Sequence, residues 1–580
     1  METDKLRSGL GRRRACDFCC RKKIKCDAKK PTCSGCSVHG VDCVWTPNPT
    51  PKRSRAVTKI QSRSAPGNKR FESIEDRLAR IEARLDQSRQ RVEDSSGDNA
   101  DHEPSARPSA RLALEERGPR VNAGFSEHSE GGARPSIADM CPLPDEHVVE
   151  GLLQGPFKMF NDALPIFELE KLMETVRRWY RDPSGQDTAT WAAINVAMAL
   201  GLRHAPPPQS ESSQDMALAC ISNAQSCIDG LVYRDRDLKG LQVLLGLVVL
   251  FLASPHPYPA CVWIATAVKL AHRLRLHRRD ACAGLDADAA PQRRRLFWVT
   301  YVLDRELCNH TLEPYLIRDD DFDVEEPATL LPDRAEVNLF HLRCRLARVH
   351  GKAYDAVHSV RASGLSARDQ GAASFRVGRM LRKWYASVPA PCRLFGPGAA
   401  PGAYGARGDD GVLHHVVSLH LAYYRCLFSA RGAYAGNARV VESLMKLGDD
   451  PRGEGARVPL PLDWADLEQS ARECLQLLKL VKRGDPRLKW SAVCASQGAI
   501  VVLAAKNIAV YHRLDHETLT DDGVLVLSAV EELKRRLDES EDPVLRRVHA
   551  ICHGLGERCA DAVEMFYQDH PEMGPGAYWR

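Results

Sequence analysis

Six cysteines within 28 residues constrain this chain more than any other feature. They read Cys16-x2-Cys19-x6-Cys26-x6-Cys33-x2-Cys36-x6-Cys43, two copies of one half-motif, C-x2-C-x6-C. The x2 spacing lets two thiolates reach one ion from the start of a helix, and the x6 spacing returns a third. Three thiolates per half leave each tetrahedral zinc one ligand short. Two halves resolve the deficit if one thiolate from each bridges both ions, so that six sulfurs make eight bonds. The doubled spacing therefore predicts two zinc ions per chain in one cluster. A disulfide knot is the competing reading. It is disfavoured because the start of the chain is polar and basic, without an apolar signal core, which points to a reducing compartment.

Charge is distributed as unevenly as cysteine. The formal net charge is only +5, yet residues 1–70 hold 18 Lys+Arg against 5 Asp+Glu. Beyond residue 92 the balance reverses, with 58 basic residues against 66 acidic. A basic head on a mildly acidic body implies a polyanion partner at the head. The run Arg21-Lys22-Lys23-Ile24-Lys25, between the second and third cysteines, is dense enough for a phosphate surface.

From Arg14 to Cys43 the chain resembles the fungal zinc binuclear cluster (Zn2Cys6) transcription factors. The resemblance implies that Cys16 and Cys33 bridge the two ions and that Pro31, in the loop between the halves, follows a cis peptide bond. It implies that Lys23 reaches a CGG triplet in the major groove and that Lys22 positions it. A lysine ammonium can donate to both guanine O6 and N7. Arg21 and Lys25 then fall to phosphate contacts. Cys20 departs from the family, which carries a basic residue there; it reads as a free thiol and a lost phosphate contact. Arg12–Arg14 and Lys52-Arg53-Ser54-Arg55 are weaker basic signals, for nuclear import or phosphate contact.

A cluster of this size reads about three base pairs, too few for a genome. The means of doubling the site follows a short linker. Phe71, Ile74, Leu78, Ile81, Leu85 and Val92 keep heptad spacing, flanked by charges such as Glu75 and Arg77. Ile74, Leu78, Ile81 and Leu85 are the candidate dimer seam. Leu at a and Ile at d favours larger assemblies, whereas palindromic half-sites favour a dimer. The expected organisation is a Zn2Cys6 DNA-binding domain at 1–46, a linker at 47–70, a coiled-coil helix at 71–92, a disordered linker at 93–140, a helical regulatory domain at 141–568 and a tail at 569–580.

The expected fold class is thus a small zinc-stabilised module and short coiled coil followed by a large all-α domain. Leu296, Val299, Leu303 and Leu307 share one helical face, and so do Trp263, Ala267, Leu270 and Leu274. Leu467, Ala471, Cys474, Leu478 and Val481 repeat the pattern. Ala499 to Tyr511 is apolar nearly all round and predicts a buried central helix. The longest apolar run, Gly240 to Ala253, is too short to cross a bilayer. Gly396–Gly411 and Gly448–Gly455 read as mobile loops. Roughly from Asn161 to Pro327 the body resembles the middle homology region of the same family, carried by Trp263–Ala267, Arg293–Trp298, Asp304-Arg305 and Asp319–Asp323. That resemblance implies a regulatory domain. Within it Arg293–Arg295 and Asp319–Asp323 read as mutual ion-pair partners.

Enzyme motifs are wanting: there is no HExxH, P-loop or G-x-S-x-G, and the Gly396/Gly398 run fails GxGxxG because Pro401 sits where the third glycine belongs. His414-His415 reads as a surface or core pair rather than a metal site. Asn309-His310-Thr311 matches a glycosylation sequon that a nuclear protein would not use. Near the C-terminus, Glu564, Asp569 and Glu572 mix with Met565, Phe566, Tyr567, Tyr578 and Trp579. This is either an activation segment or the end of a core helix, since Leu555, Cys559, Ala562 and Phe566 keep helical spacing. The expectation is a nuclear, sequence-specific RNA polymerase II transcription regulator that binds zinc and double-stranded DNA, as a homodimer, with the transcription machinery as partner and no membrane association.

Overall fold

A computed structural model describes residues 15–22, 26–44 and, apart from short interruptions, 141–573; the longest interruptions are 400–409 and 450–463. The candidate coiled coil 71–92, with Ile74, Leu78, Ile81 and Leu85, lies outside the described residues. So do both linkers, most of the two glycine-rich segments, Lys23 and Lys25. The chain divides into two units, residues 1–125 and 126–580.

The first unit contains two short helices, α1 (Asp17–Lys22) and α2 (Ser34–Val38). Each follows the first cysteine of a half-motif. In both, that cysteine's sulfur accepts the amide three residues on: Cys19 N donates to Cys16 Sγ at 3.5 Å and Cys36 N to Cys33 Sγ at 3.4 Å. The sulfur thus does the work of an N-cap side chain. The ends of the module meet where the Asp17 amide donates to the Val44 carbonyl at 2.9 Å.

The second unit is helical, with no β-strand among the described residues. Its first part comprises α3 (Glu146–Leu152), α4 (Lys158–Ala163), α5 (Leu169–Arg181), α6 (Thr188–His204), α7 (Glu211–Ser226), α8 (Ile228–Val232), α9 (Leu238–Leu252), α10 (Tyr258–Arg273) and α11 (Ala289–Thr311). Then come α12 (Leu339–Ala353), α13 (Val360–Ser363), α14 (Ala367–Ser387), α15 (Asp410–Ala430), α16 (Ala438–Asp449), α17 (Glu468–Leu477), α18 (Pro486–Val510), α19 (His516–Asp538) and α20 (Pro543–Asp569). Starts are set by side-chain caps. Asp187 accepts from the Ala189 and Thr190 amides at the head of α6. Asp542 does so for Val544 and Leu545 at α20, where Pro543 takes the first helical position and supplies its preset φ.

Two apolar cores fill this unit. The first is built around α6 and α9, which pack together and are buried almost all round. Their approach depends on Gly246, where a Cβ would lie 2.2 Å from Val196 Cγ1. The second surrounds α18, whose residues Ala499 to Ala505 are buried throughout, as the all-round apolarity predicts. Helix α12 serves both cores. Phe340, Cys344 and Ala347 face the first, and Leu342, Leu346 and Ala353 the second.

The sequence reading took Gly240–Ala253 as the longest apolar run, but Leu488–Ala509 in α18 is a 22-residue stretch long and apolar enough to cross a membrane. Lys489, Gln497 and Lys506 interrupt it, so it shows no unbroken run. In the fold 83% of its most apolar window is buried inside the protein. The Leu296, Leu467 and Leu555 faces are buried as expected, whereas Trp263 is only partly covered. Phe566 ends α20 in a small cluster with Leu519, Ala562 and Val563. Tyr578 and Trp579 lie outside the described residues.

The predicted pairing of Arg293–Arg295 with Asp319–Asp323 does not occur. Arg295 pairs with Glu168 at 2.6 Å, Arg294 with Glu325 at 3.5 Å, and Arg293 donates to the Leu274 carbonyl. The acidic stretch is engaged instead by Asp304-Arg305 of α11 and its neighbours. Asp304 accepts the Leu316 and Ile317 amides at 2.9–3.0 Å. Arg305, 1% exposed, donates to Ile317 O at 2.6 Å and to Asp319 Oδ1 at 2.8 Å, and lies over the Tyr315 ring at 3.5 Å. Tyr301 donates to the same Asp319 oxygen at 2.8 Å. These contacts strap the segment after α11 back onto the helix.

Candidate metal centre and nucleic-acid interface

In the first unit the sulfurs of Cys16, Cys19, Cys26 and Cys33 form one group within 4.8 Å, and those of Cys16, Cys33, Cys36 and Cys43 form another. Two sulfurs, Cys16 and Cys33, belong to both groups. Individual separations are 3.5 Å for Cys16–Cys36, 3.6 Å for Cys19–Cys33 and 3.7 Å for Cys16–Cys33. A disulfide needs about 2.05 Å. The edge of a zinc–thiolate tetrahedron with bonds of about 2.3 Å is roughly 3.8 Å. The spacing therefore suits four-coordinate metal and excludes covalent bridging; the described cysteines are all free thiols.

Electrostatics lead to the same place. The Cys19 amide lowers the Cys16 thiol to about 6, which favours its thiolate. Burial and neighbouring sulfurs push the Cys19 and Cys36 thiols up. Six clustered sulfurs cannot all ionise without a compensating cation. Cys16, Cys19, Cys33 and Cys36 are fully buried, and little else is: the partly buried Phe18, against His39 at 5.6 Å, is the largest apolar neighbour. A module this small has no adequate core without metal. The six cysteines fit a pair of zinc ions.

The loop between the halves is locked by a residue that the sequence reading passed over. Asp27 accepts the Ser34 amide at 3.0 Å and the Ser34 hydroxyl at 2.6 Å, which keep its carboxyl below the usual range. Its signal was a single acid in a basic run, immediately after the third cysteine. Lys30–Pro31 is cis, as the family resemblance implies. Arg21 and Lys22 end α1, and the Lys22 side chain is exposed, as are Lys29 and Lys30. Lys23 and Lys25 lie outside the described residues, as does the Cys20 side chain.

In the second unit, His414 and His415 line a cleft, but no third ligand atom joins them: the cysteine groups are the only candidate metal sets among the described residues. Asn309 of the sequon is 6% exposed within α11, so its side chain offers no acceptor for a glycan.

This arrangement, a doubled thiolate cluster with a basic helix, defines a zinc-dependent DNA-binding module. Comparison with known proteins agrees. Residues 14–53 match the Fungal Zn(2)-Cys(6) binuclear cluster domain, and residues 157–336 match the Fungal specific transcription factor domain. These two matched stretches are the domains of the fungal Zn2Cys6 transcription factors, a family whose cluster binds two zinc ions and to which the chain is similar. It is 25% identical to an ABC-transporter-regulating transcription factor of Aspergillus fumigatus, over 95% of this chain and 73% of that protein. It is 28% identical to the Fusaridione A cluster transcription factor of Fusarium heterosporum, over 38% of this chain and 45% of that protein. An uncharacterized transcriptional regulatory protein of Schizosaccharomyces pombe is 23% identical over 65% of this chain and 57% of its own length. No solved structure matches. The family is one of transcription factors, not an enzyme class.

Proposed function

We propose that this protein is a sequence-specific RNA polymerase II transcription regulator that reads CGG-type half-sites as a homodimer in the nucleus. One observation carries the reading: two four-sulfur groups share Cys16 and Cys33 at the spacing of tetrahedral zinc. Cys16, Cys19, Cys26 and Cys33 would hold one ion, and Cys16, Cys33, Cys36 and Cys43 the other. The metal supplies rigidity and charge balance, fixing α1 so that its basic end meets DNA. Lys23 is assigned to the guanine edges and Lys22 to its positioning, with Arg21 and Lys25 on phosphates. Ile74, Leu78, Ile81 and Leu85 form the dimer seam that doubles the site.

The helical second unit is the regulatory body and the surface for the transcription machinery. Two relatives aligned over 95% of this chain are named as regulators of ABC transporters, which supports transporter genes as the target class. Chromatin mapping of bound sites tests that assignment; sites away from transporter promoters reject it.

Base reading is tested by titrating the full chain on DNA with paired CGG triplets and on scrambled DNA. Lys23→Ala should weaken the CGG complex by about 1–3 kcal/mol and leave scrambled DNA nearly unchanged. Arg21→Ala should weaken both alike. An equal loss on both DNAs for Lys23→Ala would make it a phosphate contact and remove the proposed specificity.

A further inference from the structure

Between the two cores of the helical unit lies a cleft of about 100 Å³, lined by the ends of α6 and α11 and by α12 and α15. A water needs roughly 10–15 Å³ by this measure, so the space suits a small organic molecule rather than one or two solvent molecules.

Its lining brings three arginines together with one carboxylate. Glu306 is its one carboxylate, and Arg343 already holds it through two bonds of 3.0 and 2.8 Å. Two further guanidinium groups, Arg203 and Arg425, pair with no carboxylate among the described residues. Arg203 Nε is buried without a hydrogen-bond partner, and burial lowers the arginine's pKa with no acid to offset it. Arg425 caps the end of α11 through the Asn309 and His310 carbonyls and lies beside the Cys494 thiol, and its buried Nη1 makes no hydrogen bond of good geometry.

Two fully enclosed side chains add to this. Asn309 is 6% exposed and its Nδ2 has no partner. His350 is 2% exposed and neither ring nitrogen makes a hydrogen bond of good geometry; the nearby Ala422 carbonyl favours its charged form less than burial disfavours it. Uncompensated buried charge and unmet donors are costly, and a fold keeps them where a ligand meets them. A metal ion does not fit, because no three ligand atoms of the cleft lie within 4.8 Å. Guanidinium forks match oxyanions.

We propose that this cleft binds a small organic oxyanion, bearing carboxylate or phosphate groups, through Arg203 and Arg425, with Asn309 and His350 as hydrogen-bonding partners. A ligand so placed touches helices of both cores and ties them together. The site is independent of the DNA-binding assignment, because it lies wholly within the second unit.

The test is calorimetric titration of the full chain at constant ionic strength with succinate and with glycerol 3-phosphate, probes of the two oxyanion types, and with chloride as control. Saturable one-to-one binding of either probe, weakened at least about tenfold in Arg203→Gln, is the expected result. Arg203→Lys, which keeps the charge but loses the fork, should fall between. Lys23→Ala should bind as the wild type does. No saturation by either probe up to about 10 mM overturns the proposal. Binding that survives Arg203→Gln and is lost in Lys23→Ala overturns it too, by placing the anion on the basic head.

Discussion

A Cβ added at Gly351 would lie 1.5 Å from Arg305 Nη1, so the glycine of α12 leaves the space that the guanidinium of α11 fills. The arginine cannot yield, because its other nitrogen is bound to Asp319 and Ile317 and the side chain is 1% exposed. Gly351→Ala should therefore cost about 3 kcal/mol or more, the penalty of breaking a buried ion pair. Gly371→Ala, on an exposed helical face with nothing within 4 Å, should be neutral or stabilising by up to about 1 kcal/mol. Urea unfolding followed by circular dichroism measures both. Equal midpoints for the two variants would refute the clash.

Sharing of Cys16 and Cys33 by both groups makes the six cysteines unequal under mutation. Elemental analysis of the full chain should give two zinc ions. Cys26→Ser should retain one, held by the group of Cys16, Cys33, Cys36 and Cys43, while Cys16→Ser should lose both. Apparent zinc affinities in small modules are on the order of 10 kcal/mol, so chelation should unfold the first unit. Identical zinc content in the two variants would reject the shared-sulfur arrangement.

His420 predicts a pH dependence. Its Nε2 accepts the Leu394 amide at 3.4 Å and its Nδ1 donates to the Val416 carbonyl at 3.0 Å, which requires a neutral ring. Burial lowers its pKa from 6.5 to about 4. A depressed histidine contributes stability that is present above 6.5 and lost as the pH falls towards 4, because the unfolded chain takes up the proton first. The loss should reach at most about 3 kcal/mol. It is read as the stability difference between wild type and His420→Gln at neutral and acid pH. A difference independent of pH would exclude a neutral buried ring.

Leu78→Pro tests the heptads. Proline in a helix interior costs about 3 kcal/mol or more, which a helix of three heptads cannot absorb. Sedimentation of the full chain with and without DNA should show a dimer for the wild type and a monomer for the variant. A dimer in both would move the association surface off residues 71–92.

The metal centre was legible because ligand spacing is a local property: Cys16 to Cys43 encode their geometry in two numbers, x2 and x6. Helix α18 was legible at Ala499–Ala505 because apolarity on every face leaves only the interior. The partners of Arg293–Arg295 were not, since Arg295 meets Glu168 across 127 residues of sequence and charge proximity along the chain says nothing of that. The cleft was hidden for the same reason. Arg203, Asn309, His350 and Arg425 come from four helices, and none carries a local pattern. The division into two cores was invisible because both use the same helical periodicity.

Helix α12 alternates its loyalties residue by residue: Phe340 and Leu342, then Cys344 and Leu346, serve opposite sides. The matched region 157–336 ends just before it. An excised piece stopping there would leave the first core open where Phe340, Cys344 and Ala347 belong, and the complementary piece would carry those three side chains bare to water. Recombination between relatives meets the same obstacle. A chimaera joined anywhere in this helix must match two independent packing surfaces at once, so exchange of halves is confined to parents whose α12 residues agree on both sides.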